Sequence, residues 1–306
     1  MQCKRRKVDD QVLASCVVLR SSKKVHWHKR DARIIFVEQQ HKYYLDPGTA
    51  HERCFPISVS GLYGLYFEPF NAADIVHRYY DKWSLDVSSK YYDVIQRGRC
   101  SGQCDLQVAK GIILGWEWKG LLASTAGTNM HRNIEFALSG LPYERHCVEG
   151  VIFERFLRDW LEPRFWRVYR LEWSIYCEEA MVAGQIDALF ERLGSFHMVD
   201  WKRCGKVLDP QEGASFGRYG KFPLDALLDN ACNHYFMQQN LYAVILERRY
   251  GIVVSSMHLV QIHPSLPTYQ VVVVPDLRAC AGAILDAYAS SRRRLAQRGR
   301  IQEPEQ

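Results

Sequence analysis

Apolar side chains recur along the chain with two different periods, and the change of period separates strands from helices. Alternation of period two runs from Arg167 to Cys177, where Leu171, Trp173 and Ile175 interleave with Arg170, Glu172, Ser174 and Tyr176. Two further runs, Gln185 to Arg192 and Phe196 to Lys202, flank Gly194-Ser195, which suits a two-residue turn with Gly at its first central position. Pairing Leu193 with Phe196 then sets Asp187 opposite Lys202 and brings Asp200 diagonally beside it on one face. Gly184, Ile186, Ala188, Phe190, Val199 and Trp201 fall on the other face, suited to packing against a helix. Strands are also predicted at Val253 to Ile262 and Tyr269 to Val274, and a hairpin at Ile34 to Val37 and Tyr43 to Leu45.

Helical spacing governs the rest. Asn71 can cap a helix through Ile75, Tyr79 and Trp83, and 85–122 is mostly helical with a break between Gly98 and Gly102. Thr128 is the cap of a next helix that Gly140 stops, with His131 and Glu135 four apart on one face. Val148 to Leu161 forms another helix, closed by Glu162-Pro163, and a helix from Leu277 to about Leu295 completes the fold. Asp225 to Tyr250 is a helix whose stripe of Leu228, Ala231, Tyr235, Gln238, Tyr242 and Ile245 includes one amide, Gln238, that needs a partner. The sum is an α/β protein: a central mixed β-sheet flanked by helices, with an N-terminal β-hairpin and a helical extension. Its expected divisions are a basic flexible arm at 1–30, the hairpin and helical region at 31–122, the core at 123–298 and a polar tail at 299–306.

Composition narrows the class. At 306 residues, 47% hydrophobic and 24% charged, the chain is globular, and no apolar run reaches the roughly 18 residues of a membrane span, so no membrane partner is expected. The net charge of +6, with clusters at Lys4 to Lys7, Lys23-Lys24, Arg248-Arg249 and Arg292 to Arg294, permits a polyanionic partner. Ten cysteines without a regular framework, and no apolar signal core, imply reduced thiols inside a cell, in a nucleus or mitochondrion if the source is eukaryotic. Cys100 and Cys104 lack a second pair at ligand spacing, which disfavours structural zinc.

Two aspartates held together on a sheet face repel each other, so a fold that places Asp187 and Asp200 there calls for a cation, and hard oxygen ligands favour Mg²⁺ or Mn²⁺. Lys202 can stabilise negative charge on a phosphate or hold water beside the metal. An ordinary cross-strand ion pair is the competing reading of so short a pattern.

In order along the chain stand Gly127-Thr128-x-x-His131-x-x-x-Glu135, a strand Glu172, Gly184-x-x-Asp187, Asp200-Trp201-Lys202 and Gln238-x-x-x-Tyr242. The set resembles the PD-(D/E)XK nuclease superfamily, specifically its RecB-type exonuclease branch, over about Gly120 to Val274; the front of the chain is similar to the mitochondrial genome maintenance exonuclease group. The resemblance implies a restriction-endonuclease-like core and a Mg²⁺- or Mn²⁺-dependent deoxyribonuclease acting on single-stranded or frayed DNA ends. It implies that His131, Asp187, Asp200 and the Trp201 carbonyl hold the metal, that Lys202 activates water and that Glu172 assists. Gln238, Tyr242 and Tyr235, with Arg218 and Lys221 from the basic loop after Lys202, would meet the substrate strand or brace the site. Some relatives carry an iron-sulfur cluster on three close C-terminal cysteines; Cys280 stands alone here, so none is expected. No helicase phosphate loop is present, so unwinding would come from a helicase or another replication or recombination protein.

On this reading Asp200→Ala or Lys202→Ala abolishes cleavage and leaves folding and DNA binding largely intact. The rival is a catalytically inactive nucleic-acid-binding module of the same fold, marked by salt-sensitive binding without turnover. A carbohydrate-active protein, suggested by 8 Trp and paired acids, would be indifferent to chelator.

Overall fold

A computed structural model gives the structure of residues 26–213 and 217–301; the basic cluster at Lys4 to Lys7 and the Lys23-Lys24 pair lie outside the described residues. The chain divides into two compact units, 69–130 and the remainder. That boundary differs from the expected one at 122/123, because the segment up to Glu68 packs with the core rather than with the helices that follow it.

The larger unit contains two sheets. Strands β1 (Ile34–Val37), β2 (Lys42–Leu45) and β3 (Arg53–Cys54) form an antiparallel three-stranded sheet, of which the predicted hairpin is the first part. The mixed six-stranded sheet comprises β4 (Ile57–Ser58), β5 (Arg167–Cys177), β6 (Val182–Arg192), β7 (Ser195–Lys202), β8 (Val254–Gln261) and β9 (Gln270–Val273). Its helices are α1 (Val59–Gly64), α5 (Val148–Phe156), α6 (Ala231–Tyr250) and α7 (Arg278–Ile301). The last runs past the frayed end expected at Arg298.

Strand β5 pairs along the length of β6, so β7 and the two-residue β4 must share the other edge of β6. β7 takes that edge from Ala188 to Arg192 and β4 takes it at Val182–Ala183. Between them the edge forks, and Asp187 lies in the fork. The split is the kind of gap in a sheet where side chains from several elements converge.

The β6–β7 register differs from the expected one. Arg192 pairs with Ser195 and Ala188 with Val199, so the turn is centred on Leu193-Gly194, both with positive φ (50° and 80°) as in a type I′ turn. Gly194 tolerates either central position of a two-residue turn; here the Glu191 carboxylate accepts from its N–H at 2.6 Å. Because each strand moves by one residue, Asp187 comes level with Asp200 rather than Lys202, yet the three charges stay in phase. The uniform opposite face does not hold: a Cβ on Gly184 would lie 2.5 Å from the Tyr242 ring on α6, whereas Phe190 packs on Trp166 and Trp201 on Phe153 and Phe156. Alternation breaks where Glu172, with φ at 45°, leaves extended geometry beside Asp187.

Helix α6 begins at Ala231 and not at Asp225, since Asn230 accepts from the Asn233 N–H while its amide donates to the Pro210 and Glu212 carbonyls, tying residues 225–230 into turns. Gly251, at φ 68°, ends it. Its burial is not one stripe: Met237, Gln239, Asn240, Leu241 and Tyr242 are all covered, because the sheet, α1 and α7 all pack on it. Residues 26–30, expected in the basic arm, pack on the core, with His26 stacked on Tyr169. Asp31, 6% exposed, accepts from Arg170 at 2.7 Å and from the Trp173 indole at 2.8 Å, and Arg30 lies 3.9 Å over the Tyr176 ring.

In the smaller unit, α2 (Ala72–Leu85), α3 (Tyr92–Cys100) and the first part of α4 (Asp105–Leu138) bury Val76, Tyr80, Ile95, Val108 and Ile112 together. Asn71 caps α2 as the sequence indicates. Thr128 is not a cap: α4 runs through it, a Thr hydroxyl being tolerated inside a helix, so the local signal is permissive.

On β8 His258 is 9% exposed, packed against Trp160 and Trp166, and its Nδ1 meets no hydrogen-bond partner among the described residues. Burial pushes its pKa down from 6.5 to about 4, with help from Arg164 and His197. The unfolded chain then binds more protons than the folded one between these values, so stability present above about pH 6.5 is lost as pH falls towards 4, by about 3 kcal/mol. Urea denaturation of wild type and His258→Leu across pH 4 to 7 should show the stability difference between them changing with pH; a pH-independent difference would rule the assignment out.

Candidate metal centre

Three elements deliver one cluster. His131 comes from α4, Glu172 from the distorted point of β5 and Asp187 from the fork of β6, and one ligand atom of each lies within 4.8 Å of the others. His131 Nδ1 stands 3.3 Å from Asp187 Oδ2, which also accepts from the Trp201 N–H at 2.8 Å. Glu172 accepts from the Gln185 amide. All three side chains are partly accessible, so a small ion can reach an imidazole and two carboxylates at once. The two carboxylates are hard oxygen donors and the imidazole a borderline one, a set able to hold a divalent cation.

Asp200 and Lys202 form the second half of the site, next to the cluster. Lys202 Nζ is 2.6 Å from Asp200 Oδ2, and the Asp200 side chain is only 3% exposed. Burial, and then the neighbouring Asp187 charge, push Asp200 up to about 6, partly opposed by Lys202. Burial acts to lower the Lys202 pKa, but Asp200 and Asp187 more than offset it and the net direction is up. The ammonium is therefore held charged. It also donates to Gln238 Oε1 at 3.1 Å and rests 4.3 Å over the Tyr235 ring, while the Gln238 amide donates to the Tyr242 hydroxyl at 3.2 Å. Tyr242, 3% exposed, braces the site from within; burial raises its pKa well above 10.

The predicted residues thus divide. His131, Glu172 and Asp187 come together, with Asp200, Lys202, Gln238, Tyr235 and Tyr242 next to them. Trp201 contributes its backbone N–H to Asp187. Arg218 and Lys221 are instead engaged on exposed surface, with Asp229 at 3.2 Å and Glu68 at 3.0 Å. Sequence reasoning passed over Gln185, Gln239 and Tyr43. Gln239 donates to Asp200 Oδ1 at 2.9 Å, and Tyr43 is buried near Glu172 and Asp187, whose charges add to burial in raising its pKa. Adjacent glutamines in a buried helix were the available signal for Gln239; Tyr43, on a separate sheet, had none.

Fold and site together define an α/β protein with a mixed sheet flanked by helices and an imidazole–carboxylate cluster at a fork in that sheet. Comparison with family models and with curated proteins finds no match.

Proposed function

We propose that the chain is a Mg²⁺- or Mn²⁺-dependent deoxyribonuclease on a restriction-endonuclease-like core, hydrolysing phosphodiesters at single-stranded or frayed ends. The observation that carries the reading is the meeting of His131, Glu172 and Asp187 within 4.8 Å, beside the buried Asp200–Lys202 pair. Asp187, His131 and Asp200 would hold the ion, with Glu172 assisting and the Trp201 carbonyl as a further donor. Bound there, the metal would supply Lewis-acid stabilisation of a phosphoryl oxygen and a lowered pKa for water.

The chain's own groups do the rest. Lys202, kept charged by Asp200 and Asp187, sets a fixed positive charge where negative charge develops on phosphate. Gln238 and Tyr235 fix its position, and Tyr242 fixes Gln238. Arg218 and Lys221 could reach a nucleic-acid backbone only by exchanging Asp229 and Glu68 for phosphate. Work beside a helicase in DNA repair or recombination belongs to the same reading.

End-labelled single- and double-stranded DNA, incubated with pure protein and Mn²⁺, should be shortened, and EDTA should stop the reaction. His131→Ala should lower cleavage by about 10²-fold or more and weaken Mn²⁺ binding. Salt-sensitive DNA binding without turnover in any divalent metal would reject the enzyme in favour of an inactive binding module.

A further inference from the structure

Consecutive residues of α6 hold both members of the Asp200–Lys202 pair: Gln238 accepts from Lys202 at 3.1 Å and Gln239 donates to Asp200 Oδ1 at 2.9 Å. Gln239 is 1% exposed, yet its Oε1 meets no hydrogen-bond partner among the described residues. Burying an amide whose oxygen stays unsatisfied costs about 1–3 kcal/mol, so packing alone would favour an apolar side chain here. Among the described residues its side-chain amide donates to the carboxylate beside the candidate metal centre.

We propose that Gln239 is a positioning residue for Asp200: it fixes Oδ1 so that Oδ2, now on Lys202, is the one oxygen free to exchange. Asp200 Oδ2 would join His131, Glu172 and Asp187 in holding a cation, and Lys202, relieved of that oxygen, would be available to substrate. The bond from Gln239 stops the carboxylate from rotating to follow Lys202. This rests on the metal-dependent reading above and adds to it a residue outside the Gln238-x-x-x-Tyr242 pattern.

The test is Gln239→Met, close in volume and unable to donate, alongside Gln239→Glu, which keeps the shape but sets a carboxylate against Asp200. Mn²⁺ binding is read by calorimetry without DNA, and cleavage of a single-stranded oligonucleotide gives kcat and KM separately. Both variants should fold, as judged by circular dichroism and thermal melting. Gln239→Met should weaken Mn²⁺ binding about 10-fold and lower kcat by about 10- to 100-fold, with KM unchanged. Gln239→Glu should be worse in both.

A purely structural role predicts a changed melting temperature with unchanged Mn²⁺ affinity and kcat, and that result overturns the proposal. Unchanged binding and kcat in a fully stable Gln239→Met overturns it too. Wild-type protein that binds Mn²⁺ but cuts nothing defeats the nuclease reading alone, since the binding arm still decides the role of Gln239. Wild-type protein that binds no Mn²⁺ defeats both. Should a variant fail to fold, Gln239→Leu and Gln239→His replace it, the second retaining a donor and expected to recover part of the Mn²⁺ affinity.

Discussion

Asp200→Asn should lose Mn²⁺-dependent cleavage by about 10³-fold or more, with a lowered melting temperature because Lys202 keeps only Asp187 as a nearby counter-charge, while the folded protein keeps its affinity for single-stranded DNA. The amide preserves the volume of a side chain that is 3% exposed, and its oxygen can still accept from Gln239, but it removes the charge that pairs with Lys202. Asn is a sharper test than the alanine substitutions suggested by sequence. Lys202→Ala would leave the Asp200 carboxylate buried, next to Asp187 and without its counter-ion, a change that costs of the order of 3–5 kcal/mol. A carboxylate already pushed up to about 6 by burial would rise further and bind a proton. Lys202→Ala is therefore expected to lower the melting temperature as well as activity. Steady-state cleavage at saturating Mn²⁺, with circular dichroism on the same samples, checks the result. Normal turnover by Asp200→Asn would remove the proposed chemistry.

Asp31→Ala should be strongly destabilising. Asp31 accepts from Arg170 and the Trp173 indole, and Arg170 is itself 5% exposed, so deletion leaves a buried guanidinium without its counter-ion, held by the His26 carbonyl, and removes the acceptor of the indole N–H. Breaking such a pair costs about 3–5 kcal/mol, which for a unit of this size lowers the melting temperature by the order of 10 °C. Asp31→Asn, which can still accept from one donor, should lose less. Calorimetry on the three proteins gives the comparison, and a shift below about 3 °C for alanine would mean that water or backbone replaces the carboxylate.

Much of the fold was legible because its strands and helices bury apolar positions at their own periods. β5 matches its predicted limits, α2 begins at the predicted cap and the last two strands lie within a residue or so of expectation. The misreadings share a cause: a local signal admitted two outcomes that only packing distinguishes. Gly194 fits either central position of a two-residue turn, Thr128 fits a cap or a helix interior, and Asp225 to Asn230 can start a helix or tie turns onto the loop before it.

The sequence alone determined which residues could carry charge and metal-binding chemistry, their order and the element type beneath each, since composition and period are properties of the chain. Tertiary structure decided which of them meet. It placed Asp187 in the fork left between β4 and β7, put Glu172 and His131 beside it, and sank the Asp200–Lys202 pair under Gln238 and Gln239. It also paired Arg218 with Asp229 and Lys221 with Glu68. Those outcomes depend on contacts between residues distant along the chain, and on which charges lose their water when the sheet closes against α6, neither of which a pattern along one dimension records.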